Sequence, residues 1–410
     1  MKTPIPDYLN EVLSTLREDT TGATASYIPE LAEANPDLFA LAVTTGTGST
    51  YSAGDVDTEF SIQSISKPFA YAAAIMDRGI DRVLESIGVE PSGEAFNELS
   101  LEGGTHRPKN PMINAGAIAT HGLLVGERAD PEARVARTLS MFSQLAGREL
   151  RIDESVCASE LATADRNLAT AHMLRSYGIL TSDPHEVVAG YTRQCSILVT
   201  VADLSMMAAT LANGGVQPRT HERVIDTDVA RQVMAVMATA GMYDGAGDWL
   251  TRVGIPAKSG VAGGLVGVLP DQVGIGGFSP RLDEHGNSQR ARRAFERLSA
   301  DMGLHLFAPS HGRLEVVGVQ RESSREVFTL QGNVQFTAAA ELLDLMADST
   351  SLSEVHVDMS RVHSFTDVAR RMTLEGLRRL RMDGRRIFIN DPLQSLANPD
   401  LGDGTYPERS

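Results

Sequence analysis

Cysteine is nearly absent: only Cys157 and Cys195 occur in 410 residues. Two thiols cannot make a disulfide framework or a CxxC zinc pair, and the plain reading is two buried free thiols in a reducing compartment. Positive charge is also in deficit, with 37 Lys and Arg against 53 Asp and Glu and a net charge of −16. That balance argues against nucleic acid as a partner, because phosphate contacts need clustered basic residues. Long apolar runs are missing as well. No stretch approaches the roughly 18 residues a membrane helix needs, so no membrane partner is expected. The opening, MKTPIPDYLNEVLSTLRED, has no basic start, apolar core or small-residue cleavage site of a signal peptide, and a cytoplasmic location is expected. What remains is ordinary for a globular protein: 42% hydrophobic and 22% charged residues, and a length that suggests about two to three domains.

Tyr8, Leu9, Val12, Leu13 and Leu16 follow helical spacing and predict an opening amphipathic helix. Leu38–Thr45, the turn at 46–49 and Thr50–Ser52 read as a hairpin, and Gly264–Leu269 with Val273–Phe278 as a second one. Between Ser64 and about Ala240 strand signals nearly vanish from an Ala-, Leu- and Met-rich helical stretch. Strands flanking a helical block most simply share one antiparallel sheet, an α+β layer architecture, with an Arg-rich helix over about Ser288–Met302. This first unit is expected to span 1–308, with a linker at 309–313. A second unit, 314–398, alternates strands (Leu314–Val319, Glu326–Leu330, Glu354–Asp358, Arg386–Asn390) with helices (Thr337–Asp348, Asp367–Met382) and predicts a small, partly parallel α/β domain. Residues 399–410 read as a polar tail.

Ser64-x-x-Lys67 opens a helix signalled by Pro68 and an alanine-rich run. Spacing i, i+3 puts the two side chains on one face. A serine hydroxyl needs a base, and a lysine among apolar neighbours can lose its charge and serve. Helix-start N–H groups suit an oxyanion. By itself the motif is weak. Lys258-Ser259-Gly260, just before the late hairpin, strengthens it, because serine β-lactamases and penicillin-binding proteins pair Ser-x-x-Lys with Lys-Thr-Gly. The Ser-Asp-Asn triplet of those enzymes is absent, and so is an export signal.

The chain resembles the serine-dependent glutaminases, a family of β-lactamase-like fold. The resemblance rests on Tyr27–Leu31, Gln63–Lys67, Asn110–Ile118, Ser159-Glu160 with Asp165–Asn167, Tyr191 ahead of Cys195-Ser196, Gly241–Asp244 and Pro256–Gly264. It implies hydrolysis of L-glutamine to L-glutamate and ammonia, with no cofactor and no metal, in an enzyme that forms a dimer or tetramer. Position by position, it implies Ser64 as nucleophile, Lys67 as base, Tyr191 and Tyr243 as phenols assisting proton movement, and the N–H groups of Ser64 and Val261 as oxyanion hole. It assigns Tyr27, Gln63, Asn114, Glu160 and Asn167 to the amino-acid end of the substrate. The residue chemistry is compatible: a buried zwitterion needs each charge paired, and Glu160 suits the ammonium. Lys258 is expected to support Lys67 electrostatically. Each residue also has a bland reading: Glu160 a solvated charge, Asn114 a helix N-cap, Asn167 a helix back-bond, the two tyrosines core phenols. His106, His172, Cys157 and Cys195 receive no catalytic role.

Residues 314–398 resemble the STAS domain of anti-sigma-factor antagonists through Phe328–Val334, Ala338–Met346 and Val355–Val362. The Asp-Ser pair of phosphorylation-switched antagonists is missing from His363–Val368, where Asp367 falls near the phosphorylated position. The resemblance implies a docking or oligomerisation module with a protein or ligand partner.

Overall fold

A computed structural model describes residues 2–93, 100–308, 316–321, 325–348, 353–402 and 404–409, with the backbone alone of Tyr243, Val316 and Val317. The strands are β1 (Ala40–Thr45), β2 (Thr50–Gly54), β3 (Phe60–Ser61), β4 (Leu198–Val199), β5 (Ala257–Ser259), β6 (Gly264–Leu269), β7 (Val273–Phe278), β8 (Val316–Arg321), β9 (Arg325–Val334), β10 (Glu354–Phe365), β11 (Arg386–Asn390) and β12 (Glu408–Arg409). The helices begin with α1 (Ile5–Leu16), α2 (Pro29–Ala32), α3 (Ser66–Arg78), α4 (Ile80–Ser86), α5 (Asn114–Leu123), α6 (Pro131–Ala146), α7 (Glu154–Ala162) and α8 (Asp165–Ser176). They continue with α9 (Pro184–Cys195), α10 (Val201–Ala212), α11 (Thr227–Ala240), α12 (Ala246–Arg252), α13 (Gln289–Met302), α14 (Phe336–Ala347) and α15 (Asp367–Met382).

Two compact units result, Val12–Glu296 and Met1–Glu11 with Arg297–Ser410. Residues 1–11 and 297–308, expected with the first unit, thus belong to the second. Ion pairs account for part of this: Arg379 meets Asp7 at 2.5 Å and Arg371 meets Glu11 at 2.9 Å. The expected linker lies at 309–313, outside the described residues.

In the larger unit both hairpins join one antiparallel sheet, ordered β2-β1-β7-β6-β5. Every residue of β1, β6 and β7 is buried, so the sheet is covered on both faces. Alternating glycines permit this. A Cβ on Gly274 would come within 2.1 Å of Ala209 N, and one on Gly276 within 2.3 Å of Val201 O, so α10 lies with its backbone on that face. On the opposite face, Gly267 and Gly277 make room for Phe295 of α13. A capping box, Thr200 with Asp203, starts α10.

The helical block between the hairpins centres on α3, buried from Ser66 through Ile75. Its sequence showed no strand, yet β4 pairs antiparallel with β3, Phe60 opposite Val199 and Ser61 opposite Leu198. Two residues carry too little pattern to be seen in sequence, and only tertiary pairing makes them a strand. The pair, extended by Ile62 N donating to Ile197 O at 2.8 Å, anchors the chain immediately ahead of Ser64.

The smaller unit holds a mixed sheet, β12-β11-β10-β9-β8, in which only β8/β9 is antiparallel. β10 runs to Phe365 with two bulges, well past the expected Asp358. The tail, read as loop, supplies an edge strand: Phe388 pairs with Glu408 and Ile389 with Arg409. A two-residue polar strand has no hydrophobic alternation to announce it.

Candidate active site

Ser64 sits in a single 3-10 turn, Gln63–Ile65, between β3 and α3. Gln63 holds this turn in a left-handed conformation, φ 51°, which costs a non-glycine residue about 1–2 kcal/mol. Its buried amide is fixed at both protons: Nε2 donates to Ser61 Oγ at 3.1 Å and to Glu160 Oε1 at 3.1 Å. The turn leaves Ser64 half-buried while Lys67, one helical turn on, is 1% exposed.

Burial drives the Lys67 amine down to about 7. Its Nζ donates to Asn114 Oδ1 at 2.7 Å, and Asn114 Nδ2 donates to Asn167 Oδ1 at 3.3 Å. Asn114 is therefore not a helix cap; Ile113 holds that position without a side-chain bond, and the Asn114 amide points to Lys67 and Asn167. A second carboxylate-centred group adjoins: Tyr27 Oη donates to Glu160 Oε1 at 2.7 Å. Desolvation raises the Glu160 carboxyl above its ordinary range, opposed by the bonds from Tyr27 and Gln63. The solvated-charge reading of Glu160 is thereby removed.

Gly260 brings the late hairpin against this turn. A Cβ there would lie 3.0 Å from Ile62 O and 3.3 Å from Gln63 Cβ, so β5 approaches as glycine alone allows and Val261 follows directly on the contact. Lys258 on β5 is fully buried; desolvation, then the charge of Lys67, hold it well below its ordinary value. Its Nζ donates to Ser259 O at 2.8 Å. Lys67 owes its depressed value first to burial, so a charge on Lys258 is not needed to explain it. Ser259 Oγ bonds Asn287 Oδ1, tying β5 to the loop after β7.

Behind the turn runs a buried polar chain that the sequence did not announce. His121 Nδ1 meets Gln194 Oε1 at 3.1 Å, Gln194 Nε2 donates to Ser66 Oγ at 3.0 Å, and Ser66 Oγ lies 3.8 Å from Cys195 Sγ. Because the amide oxygen only accepts, His121 Nδ1 carries the proton. Burial keeps this ring neutral, its value lowered to about 4. Burial also pushes the Cys195 thiol up to about 11, against an opposing charge effect of Lys67 and a bond from Tyr191. Tyr191 is buried, and the Tyr243 side chain lies outside the described residues. His106 stacks on Tyr177, and His172 meets His185 edge-on, both away from the serine–lysine pair's bonds.

Together these groups offer a half-exposed hydroxyl, a buried lysine amine that gives up its proton near neutral pH and a carboxylate bonded by amide and phenol donors. That combination fits a hydrolase site in a mixed α/β protein. A family model described as Glutaminase matches residues 22–307, and the chain belongs to the glutaminase family of hydrolases. It is 51% identical over 404 residues to a glutaminase of Corynebacterium efficiens, covering 98% of this chain and 96% of the relative. The crystal structure of Mglu in its glutamate form superposes with a TM-score of 0.74 at 47% identity, covering 96% of this chain and all of that one. A probable glutaminase from Bacillus subtilis, complexed with 6-diazo-5-oxo-L-norleucine, matches at 34% identity and a TM-score of 0.68 over 74% of this chain and 96% of that one.

Proposed function

We propose that this enzyme hydrolyses the side-chain amide of L-glutamine to L-glutamate and ammonia through an acyl-enzyme on Ser64. The observation that carries the reading is the fully buried Lys67, one helical turn from Ser64, whose amine is drawn down to about 7. Lys67 Nζ accepts the hydroxyl proton as Ser64 Oγ attacks the amide carbon. The N–H groups of Ser64 and Val261 stabilise the tetrahedral oxyanion, a reading supported by the close approach of Gly260 to the Gln63–Ile65 turn. The leaving nitrogen takes a proton from Lys67, or from Tyr243, and departs as ammonia. Water then attacks the γ-glutamyl ester, Lys67 again accepting its proton and passing it to Ser64 Oγ as the ester bond breaks, and glutamate is released. Tyr191, a buried phenol, assists proton movement beside the nucleophile.

Glu160, with Tyr27 and Gln63 bonded to it, takes the α-ammonium, and Asn114 and Asn167 take the α-carboxylate. Lys258 helps keep Lys67 neutral by raising the cost of a second buried charge, as the effect of the Lys67 charge on Lys258 supports. The antiparallel sheet with the long helical block between its hairpins supports the β-lactamase-like reading of this unit. The β–α alternation of the mixed sheet supports the STAS-like reading of the other, as a module for a protein or ligand partner. We place the enzyme in the cytoplasm as a dimer or tetramer; among the described residues no helix is long and apolar enough to cross a membrane.

Ser64→Ala tests the mechanism. It should abolish ammonia release from glutamine and prevent covalent labelling by 6-diazo-5-oxo-L-norleucine, read by mass spectrometry. Full activity in that variant would refute the serine mechanism.

A further inference from the structure

Glu160 is not the only carboxylate at the amino-acid end of the site. Glu30 lies three residues after Tyr27, in the short helix α2, between the buried anchors Ile28 and Leu31. Its Oε1 accepts a bond from Ser159 Oγ at 2.9 Å. Ser159 directly precedes Glu160. The segment from Tyr27 to Glu30 therefore grips α7 at two consecutive residues, by the Tyr27 phenol on Glu160 and by Glu30 on Ser159. The other oxygen, Oε2, is buried and accepts no hydrogen bond among the described residues.

An unpartnered buried carboxylate oxygen is costly, of the order of 1–3 kcal/mol. The charge of Glu30 acts unfavourably on the ionised form of Glu160, as one carboxylate on another must. A cation between α2 and α7 would relieve both groups at once.

We propose that Glu30 is a positioning and specificity residue of the α-ammonium subsite: it fixes Glu160 through Ser159, and its own negative charge strengthens the field that only a substrate bearing an α-ammonium neutralises. This rests on the assignment of Glu160 to the ammonium. In the free enzyme the two carboxylates oppose each other. A bound α-ammonium removes that opposition, whereas an amide lacking the amino group leaves it in place. Glu30 thus widens the gap between glutamine and its deamino analogue without touching the reacting carbon.

The test compares kcat/KM for L-glutamine with that for glutaramate, the same amide and carboxylate without the amino group. In Glu30→Gln, which keeps the shape and the acceptor for Ser159, the ratio of the two should fall roughly tenfold, through KM for glutamine and with little change in kcat. Ser159→Ala, which frees Glu30 from α7 at unchanged net charge, should lower the ratio in the same sense by about threefold. Equal losses on both substrates would mark Glu30 as merely structural, and an unchanged ratio in either variant would overturn the inference. Glu160→Gln separates this from the underlying assignment. It should collapse the ratio further than Glu30→Gln; if it leaves the ratio intact, the ammonium subsite itself is misplaced.

Discussion

Asn114→Asp replaces one atom type at the base and should move the pH dependence of the whole reaction. Lys67 loses its proton at about 7, against 10.5 for an ordinary lysine. At pH 7 that raises the neutral fraction from roughly 3 in 10,000 to about one half, about 10³-fold more competent base. The Asn114 oxygen accepting from Lys67 Nζ at 2.7 Å is neutral. A carboxylate in its place favours the ammonium and raises the Lys67 value by about one to three pH units. The base must be uncharged to accept the Ser64 proton, so activity rises as pH passes upward through the Lys67 value. Half-maximal kcat, near pH 7 in the native enzyme, should therefore move to about 8–10, with a loss of about 5- to 500-fold at pH 7 that recovers in alkali. Ammonia release at saturating glutamine between pH 5 and 10.5 reads this directly. The position of the limb decides the matter, since KM also rises when a carboxylate faces the substrate carboxylate. A limb that stays near 7, or moves downward, would refute Lys67 as the titrating base.

Three further substitutions probe the frame around that pair. Gly260→Ala places a Cβ 3.0 Å from Ile62 O and 3.3 Å from Gln63 Cβ. It should lower kcat about tenfold or more by displacing the β5 edge from Ser64, with the melting temperature little changed; an unaltered kcat would count against the oxyanion role of this edge. Gly274→Ala drives a Cβ to 2.1 Å from the backbone of α10, and should destabilise the fold by about 3 kcal/mol in urea titration. Tyr27→Phe removes the phenol that donates to Glu160 at 2.7 Å, and should raise KM for glutamine about fivefold at constant kcat, as loss of one hydrogen bond at a partly exposed site implies. A fall in kcat instead would place Tyr27 nearer the chemistry.

Much of this site was legible because its pieces carry local signals. Ser64 and Lys67 are one helical turn apart, Pro68 marks the helix start, and Lys258-Ser259-Gly260 precedes a hairpin whose boundaries, Gly264–Leu269 and Val273–Phe278, follow from its apolar runs. Local chemistry alone left Asn114 open to a bland reading as a cap, a position that Ile113 holds. The actual partners of Asn114 are 47 and 53 residues away. His121, Gln194 and Ser66 gave no signal at all, since a polar residue acquires such a role only when burial forces it to find distant partners. Glu30 lay inside a recognised segment, but its tie to Ser159 spans 129 residues.

The two cysteines of 410 end as they began, buried and unpaired with each other. Sequence alone determined most element types and brought Ser64 and Lys67 one helical turn apart, because periodicity and spacing are properties of nearby residues. The tertiary structure decided what those residues are. Burial of α3 made Lys67 a neutral amine rather than a surface cation. The approach of Gly260 brought a strand nearly two hundred residues later against the Ser64 turn, and the meeting of α2 with α7 bonded Glu30 to Ser159, the residue before Glu160. Desolvation and long-range contact exist only once the chain has closed on itself, and they set the proton affinity of a lysine that local sequence leaves ordinary.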